Sequence, residues 1–173
     1  TNDGDGGITE IVTYSVTSSY SGGVLIDYDG DNDLDIIHPR DNKMSILTNT
    51  LPTTPSSSGF GVSFSKNFGN QINANWGSGN GNGRLVIMKQ GSAVDAIPSD
   101  DVIYTADSFG NGSELGSGNY VVYAGTSNSA IITGLSTNTQ YYIAIYEYNK
   151  GGTLVKYLTT TPVTSNVTTA DAP

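Results

Sequence analysis

Apolar and polar residues alternate with a period of two in many short segments of the chain. Within residues 8–17, for example, Val12, Tyr14 and Val16 are separated by single threonine or serine residues. Such alternation is typical of half-buried β-strands, and no segment sustains the three- and four-residue spacing of an amphipathic helix over three turns. Alanine and leucine are sparse, whereas threonine, tyrosine, valine and isoleucine are plentiful. The pattern therefore predicts an all-β protein.

Clusters of glycine, asparagine and serine separate the predicted strands, as tight turns require. The strands are expected over residues 8–17, 23–28, 34–38, 44–48, 62–66, 71–76, 84–89, 102–105, 120–123, 130–133, 141–148, 153–158 and 163–168. Many short strands joined by turns indicate a β-sandwich or a barrel.

Charge divides the chain into two regions. The 173 residues carry 16 acidic and 7 basic side chains, for a formal net charge of −9. Most of that charge lies within the first fifty residues, and the prolines and small polar residues at 52–58 then suit an extended linker. We expect an acidic unit at 1–51, a linker at 52–58, a second domain at 59–170 and a linker remnant at 171–173. The whole is expected to be a piece of a longer protein.

The composition excludes several classes of function. Without cysteine, the chain has no disulfide, thiolate zinc site or thiol nucleophile. Its negative charge disfavours nucleic acid and anionic membranes, which attract clustered lysine and arginine, and no apolar run approaches the ~20 residues of a membrane span. We expect no enzyme, because His38 is the only histidine and no G-x-S-x-G elbow is present.

The sharpest chemical feature is an acidic nonapeptide, D-Y-D-G-D-N-D-L-D, at residues 27–35 between two apolar segments. Five carboxylates this close repel one another unless a cation neutralises them. Calcium binds six to eight oxygen ligands, and alternating aspartates supply such a set. The expected calcium ligands are side-chain oxygens of Asp27, Asp29, Asp31 and Asp35 and the backbone carbonyl of Asp33. The alternative is a solvated acidic hairpin without a metal.

The surroundings of the nonapeptide are not those of an EF-hand, because His38 stands where that motif has a glutamate and the flanks are strand-like. Residues 20–50 instead resemble FG-GAP or VCBS-type β-propeller repeats, with D-x-D-G-D-G-D-L-D, a strand and a closing L-x-N, here 47–49. Asn32 replaces the second glycine of that pattern. The resemblance implies a structural calcium site. Residues 1–7 are the remainder of a second such loop or a flexible acidic turn.

The second domain has the pattern G-L-S-T-N-T-Q-Y at residues 134–141, followed by alternating isoleucines. This resembles the fibronectin type III pattern, with Thr137 in place of the usual proline. The resemblance implies an immunoglobulin-like sandwich in which Leu135 plugs one end, Tyr141 forms a tyrosine corner and Trp76 lies in the core. The stretch between Trp76 and Leu135 implies a long insertion. The sequence of this stretch is similar to the sequences of fibronectin-like modules in large secreted proteins of the Bacteroidota.

Three functions remain open. The first is a non-catalytic adhesion or spacer region of a secreted or cell-surface protein, stiffened by calcium, with a surface glycan or neighbouring domains of the same chain as partners. The second is a carbohydrate-binding accessory module, because Tyr142, Tyr146 and Tyr148 alternate along one strand and would expose rings that stack on sugars, unless the insertion covers them. The third is a filament subunit that donates an unpaired strand edge.

Overall fold

The computed structural model of the protein describes residues 8–15, 22–28, 34–40, 43–49, 51–65 and 69–171. Regular structure in these residues is entirely β, which confirms the predicted all-β class. None of these segments forms a helix of the length and apolarity that a bilayer span requires. The chain divides into two units, Thr1–Pro52 with Lys150–Leu154, and Thr53–Asn149 with Val155–Pro173.

The described segments contain twelve strands. These are β1 Ile8–Ser15, β2 Val24–Ile26, β3 Asp35–Arg40, β4 Lys43–Asn49, β5 Phe60–Ser65, β6 Gln71–Gly77, β7 Gly83–Gln90, β8 Asn119–Gly125, β9 Ser129–Thr133, β10 Gln140–Gly151, β11 Leu154–Tyr157 and β12 Val163–Thr168. They match the predicted strands apart from shifts at their ends, with one exception.

No strand forms over residues 102–105, where the sequence predicted one. The backbone of this segment bonds to side chains and to nearby loop backbone instead of to a neighbouring strand. The N–H of Ser113 donates to the carbonyl of Thr105 at 2.8 Å. The hydroxyl of Tyr157 donates to the carbonyl of Val102 at 3.0 Å, and the N–H of Thr105 donates to the hydroxyl of Ser113 at 2.8 Å. Alternation along the sequence could not show which partner these backbone groups would find.

The first unit contains a four-stranded antiparallel sheet in the order β1-β4-β3-β2. Ile46 of β4 is buried, whereas all three residues of the edge strand β2, Val24–Ile26, are exposed. Strands β2 and β3 pair with Ile26 opposite Asp35. This pairing brings the two ends of the acidic nonapeptide together.

The second unit is a sandwich of two antiparallel sheets. One sheet has the order β5-β6-β9, and the other contains β11, β10, β7 and β8, with β12 paired to the first half of β10. Between them lies an inner core of interlocking apolar side chains. Its buried members are Ile72, Ala74, Trp76, Val86, Met88, Val122, Ile132, Leu135, Tyr141, Ile143 and Ile145.

One end of the sandwich is fixed by the predicted tyrosine corner. The N–H of Ser136 donates to the hydroxyl oxygen of Tyr141 at 2.9 Å, and the hydroxyl of Thr169 donates to the carbonyl of Ser136 at 2.6 Å. Leu135 and Trp76 are both buried. These contacts confirm the roles predicted for Tyr141, Leu135 and Trp76.

The predicted insertion consists of residues 91–118, which connect β7 to β8 and cover the outer face of the five-stranded sheet. The insertion and the five-stranded sheet enclose a second, outer core. Its buried members are Leu85, Ile87, Leu115, Val121, Ala144, Tyr146, Val155 and Tyr157, with Val94, Ala96, Tyr104, Ala106 and Tyr148 packed against them. Both faces of β7 are buried, and this agrees with its run of successive apolar residues.

The insertion also lies along the β8 edge of this sheet. The N–H of Val121 donates to the carbonyl of Ser113 at 2.9 Å, and the N–H of Asp107 donates to the carbonyl of Val121 at 3.3 Å. The N–H of Leu115 donates to the carbonyl of Asn119 at 2.8 Å. Backbone groups that would form an open edge are thereby paired within the chain.

At the opposite edge, an aspartate pair of the insertion caps β11. The N–H of Asp101 donates to the carbonyl of Val155 at 2.9 Å, and the Asp101 Oδ1 accepts the N–H of Val155 at 3.2 Å. The Asp100 Oδ1 accepts the N–H of Tyr157 at 2.9 Å. Asp101 has a φ of 61°, a left-handed conformation that aspartate tolerates better than most residues.

Most of the predicted linker, residues 53–58, packs on the sandwich rather than forming a free connection. The N–H groups of Ser56 and Ser57 donate to the Oδ1 of Asn80 at 3.0 and 2.9 Å. A Cβ atom added at Gly79 would lie 2.0 Å from the carbonyl oxygen of Ser57, so only glycine fits there. The small residues that suggested a linker instead permit close contact.

Candidate functional site

The acidic hairpin is described only at its base. Asp35 is completely buried at the start of β3, and its Oδ2 accepts the N–H of Tyr28 at 2.7 Å. Asp27, at the other end of the nonapeptide, is exposed. The remaining predicted ligands, Asp29, Asp31 and Asp33, lie outside the described residues.

Strand pairing closes the base of this hairpin, and the buried carboxylate of Asp35 lies there. Oxygen ligands are those that calcium prefers. The described residues contain no group of three or more histidine, cysteine, aspartate or glutamate side chains that could hold a metal. Only two of the five predicted ligands, Asp27 and Asp35, are among the described residues, so the calcium site stays a prediction.

The three tyrosines predicted to form an exposed stripe are buried wholly or in part. Tyr146 is 3% exposed, and its hydroxyl donates to the carbonyl of Ala96 in the insertion at 3.1 Å. Tyr148 is half-buried, with its ring 5.6 Å from that of Tyr157, and Tyr142 is half-buried too. Burial raises the pKa of both Tyr146 and Tyr148. The insertion packs over Tyr146 and Tyr148, which for these two rings is the alternative that the sequence left open.

A buried ion pair joins β10 to β7. Glu147 and Arg84 are paired across the strands, with the Arg84 Nε 3.2 Å from the Glu147 Oε1. The Glu147 carboxylate also accepts the N–H groups of Gly79 and Gly81, at 2.8 and 3.1 Å. The Arg84 Nη1 donates to the carbonyl of Thr126 at 2.9 Å. Both carboxylate oxygens are therefore used to hold the glycine-rich loop before β7, which indicates a structural role.

The insertion forms an open cleft with a volume of about 530 Å³. Ala96, Ile97 and Leu115 supply apolar surface to it. Its polar lining combines two carboxylates, hydroxyl groups and one amide, from Asp95, Ser99, Tyr104, Glu114, Ser117 and Asn119. We call this feature the insertion cleft.

Asp95, on one side of the insertion cleft, is held by two donors. The Lys89 Nζ lies 2.6 Å and the Asn119 Nδ2 lies 2.9 Å from the Asp95 Oδ1. The hydrogen bond from Lys89, followed by that from Asn119, lowers the pKa of Asp95. Asn119 is buried and directly opposite Lys89 in the β7–β8 pairing, so the sheet fixes the position of this group.

Glu114, the second carboxylate of the cleft, is held by the turn that follows it. Its Oε1 accepts the N–H of Gly118 at 2.8 Å. Its negative charge, with some burial, raises the pKa of the neighbouring Tyr120. Sequence reasoning missed Asp95 and Glu114, because single acidic residues in a glycine- and serine-rich segment have no diagnostic spacing. The cross-strand position of Asn119 emerges only once the register is known.

Comparison with solved structures found several chains that are similar to this one. A multidomain fragment of titin is similar with a TM-score of 0.51 and 9% sequence identity, covering 94% of this chain and 56% of that one. A computationally redesigned β-sandwich protein gives a TM-score of 0.46 and 18% identity, covering 68% and 94%. A fibronectin type III domain of human collagen XX gives 0.35 and 16%, covering 66% and 99%. This chain thus spans little more than half of the titin fragment.

No protein-family model and no curated protein matches the chain. Because the titin fragment is only 9% identical, the likeness shows the fold alone. Together with the two antiparallel sheets and the tyrosine corner, it identifies an all-β protein with a fibronectin type III or immunoglobulin-like sandwich. The resemblance of residues 20–50 to propeller repeats stays a prediction.

Proposed function

We propose that this chain is a non-catalytic spacer or adhesion region of a large secreted or cell-surface protein, and that calcium stiffens its acidic unit. The observation that carries the spacer role is the closure of the five-stranded sheet. Both of its faces contribute to a buried core, and the insertion pairs with two of its edge strands, β8 and β11. A sheet protected in this way keeps its shape without adding strands from other molecules.

The fold also favours a non-catalytic role outside the cell. Fibronectin type III and related sandwiches occur widely in cell-surface proteins. The polar pair of Arg84 and Glu147 is buried in the sandwich, and its charged groups are used in structural hydrogen bonds. Neighbouring domains of the same long chain are the proposed partners of such a module.

Calcium would be held by side-chain oxygens of Asp27, Asp29, Asp31 and Asp35 and by the carbonyl of Asp33. The ion would neutralise mutual repulsion within the nonapeptide and thereby favour the folded hairpin. Its proposed role is structural, because the protein's own oxygens fill the coordination shell.

Calorimetry combined with tryptophan fluorescence tests the calcium proposal. The only tryptophan, Trp76, lies in the sandwich core, so its fluorescence follows the sandwich, whereas calorimetry follows both units. We expect calcium to raise the melting temperature of the acidic unit, which calorimetry detects and Trp76 fluorescence does not. EDTA should reverse this increase. At a free calcium concentration of 100 times the Kd, the added free energy of unfolding would be about 2.7 kcal/mol.

The variant Asp31→Asn should strongly weaken this calcium effect, because it removes the negative charge of a predicted ligand. Asp41→Asn is the matched control, since it makes the same charge change in the acidic unit but outside the nonapeptide. Identical melting curves in calcium and in EDTA would contradict the proposal. So would an equal loss of the calcium effect in both variants, because repulsion alone would then explain it.

A further inference from the structure

We propose that the insertion cleft binds a neutral saccharide. This activity is separate from the calcium-stiffened spacer role and uses none of its residues. The sequence placed sugar binding on Tyr142, Tyr146 and Tyr148, which the structure buries wholly or in part. The insertion that covers those rings presents a new polar surface of its own.

The polar lining of the cleft matches the hydroxyl groups of a sugar. Carboxylates accept several hydrogen bonds each, and hydroxyl side chains both donate and accept. Asp95 and Glu114 supply the carboxylates, while Ser99, Ser117 and Tyr104 supply the hydroxyls. A ligand with many hydroxyl groups can use both kinds of partner. Phosphate, sulfate or uronate groups would be repelled by Glu114.

The two carboxylates are already oriented before any ligand arrives. Asp95 is fixed through its Oδ1 by Lys89 and by the buried Asn119, and its Oδ2 has no partner among the described residues. Glu114 is fixed by the N–H of Gly118. Groups held in this way lose little conformational freedom on binding, which favours affinity.

An apolar surface lies beside these polar groups. The ring of Tyr104 is half-buried, and it is positioned by an N–H from Ser99 at 3.0 Å and by the Tyr157 ring at 6.0 Å. Ile97 lines the cleft with 63% of its surface exposed. Sugars combine hydroxyl groups with apolar C–H faces, so this neighbourhood suits them on both counts.

Size and charge favour a sugar over other small ligands. The volume of about 530 Å³ falls within the range of ~300–1,000 Å³ found for ligand sites. A cationic ligand, such as a lysine or arginine side chain, is the main competitor. Lys89 already neutralises Asp95, so the cleft keeps a single uncompensated carboxylate among several hydroxyls, which fits a neutral polyol better.

Binding is tested first on an array of neutral and acidic oligosaccharides, and hits are then measured by calorimetric titration. We expect a neutral oligosaccharide to bind, with acidic ones excluded. Binding should be equal in calcium and in EDTA, so that failure of the calcium proposal leaves this result intact. An array without hits, or selective binding of a lysine- or arginine-containing peptide, would overturn the proposal.

The variant Glu114→Gln assigns the binding to the cleft. Glutamine keeps an acceptor for Gly118, so the fold should survive, but loss of the charged acceptor should weaken sugar binding about tenfold. Asp107→Asn is the matched control, an exposed acid of the same insertion outside the cleft, and should leave affinity unchanged. Equal affinity of both variants and the unmodified protein would place the site elsewhere.

Discussion

The two sheets of the sandwich bury their residues in different ways. In β6 of the three-stranded sheet, Ile72, Ala74 and Trp76 are buried and the residues between them are partly or fully exposed. In β7 of the five-stranded sheet, six consecutive residues, 83–88, are buried. The difference arises because the insertion covers the second face of β7. One sheet therefore has one buried face and one facing solvent, and the other has two buried faces.

This contrast shows how one insertion changes both stability and function. It adds a second core, pairs with the β8 and β11 edges of the five-stranded sheet, and buries Tyr146 of β10. In exchange it exposes the insertion cleft. The proposed sugar binding would therefore use the insertion together with Lys89 and Asn119 of the sheet beneath it, which hold Asp95.

The largest expected effect comes from breaking the buried ion pair of the covered sheet. Glu147→Ala should lower the free energy of unfolding by about 3–5 kcal/mol, because it leaves the Arg84 charge buried without its partner. Urea denaturation followed by Trp76 fluorescence measures this. Glu147→Gln keeps one acceptor oxygen for the loop that carries Gly79 and Gly81, so it should cost less than Glu147→Ala. A loss of less than about 0.5 kcal/mol for Glu147→Ala, as is usual for exposed residues, would contradict the buried ion pair.

A second test compares the outer core with the inner one. Ile87 faces the insertion and Ile72 faces the other sheet, and both are fully buried. Replacing either with alanine should cost about 2–5 kcal/mol if both cores are equally well packed. The measurement is chemical denaturation of the two variants side by side. A cost for Ile87→Ala well below that of Ile72→Ala would show that the insertion covers the sheet only loosely.

The smallest expected effect concerns the exposed aspartate pair that caps β11. The hydrogen bond from Lys156 lowers the pKa of Asp101 below its usual 3.8. A lowered carboxyl pKa means that the stabilisation is complete above pH 3.8 and is lost as the pH falls through the folded-state value. NMR titration of the Asp101 carboxyl and of the Val155 amide should show this.

Lys156→Met is the control for that titration, since it removes the donor and should return the pKa of Asp101 towards 3.8. The pKa of Lys156 itself is raised, chiefly by the same bond to Asp101. The stabilisation that protonated Lys156 contributes is therefore complete below pH 10.5, and it is lost as the pH rises through the pKa of Lys156 in the folded protein. An Asp101 that titrates at or above 3.8 in the unmodified protein would contradict the contact.

Much of the fold was predictable because it follows from local patterns. Period-two alternation located nearly all of the strands, and the G-L-x-x-x-T-x-Y pattern identified Leu135 and Tyr141 at the tyrosine corner. The predicted strand at 102–105 failed because its backbone groups bond to the Tyr157 hydroxyl and to loop residues such as Ser113 rather than to a neighbouring strand. Periodicity reports which residues are apolar, not which groups satisfy the backbone.

The candidate sites were less predictable. The calcium ligands follow from charge spacing alone and remain a prediction. The tyrosine stripe failed because alternation places Tyr146 and Tyr148 on the face opposite Ile143 and Ile145 but does not say what covers that face. The uninterrupted apolar run of β7 was a usable sign that both faces would be buried.

The sequence by itself determined the β class, the tyrosine corner and the concentration of negative charge near the start of the chain, because each depends on neighbouring residues. Only the tertiary structure decided that the insertion would form a second core, bury Tyr146 and bring Asp95 beside Asn119. Those outcomes depend on strand register and on long-range packing, and the contacts involved join residues tens of positions apart.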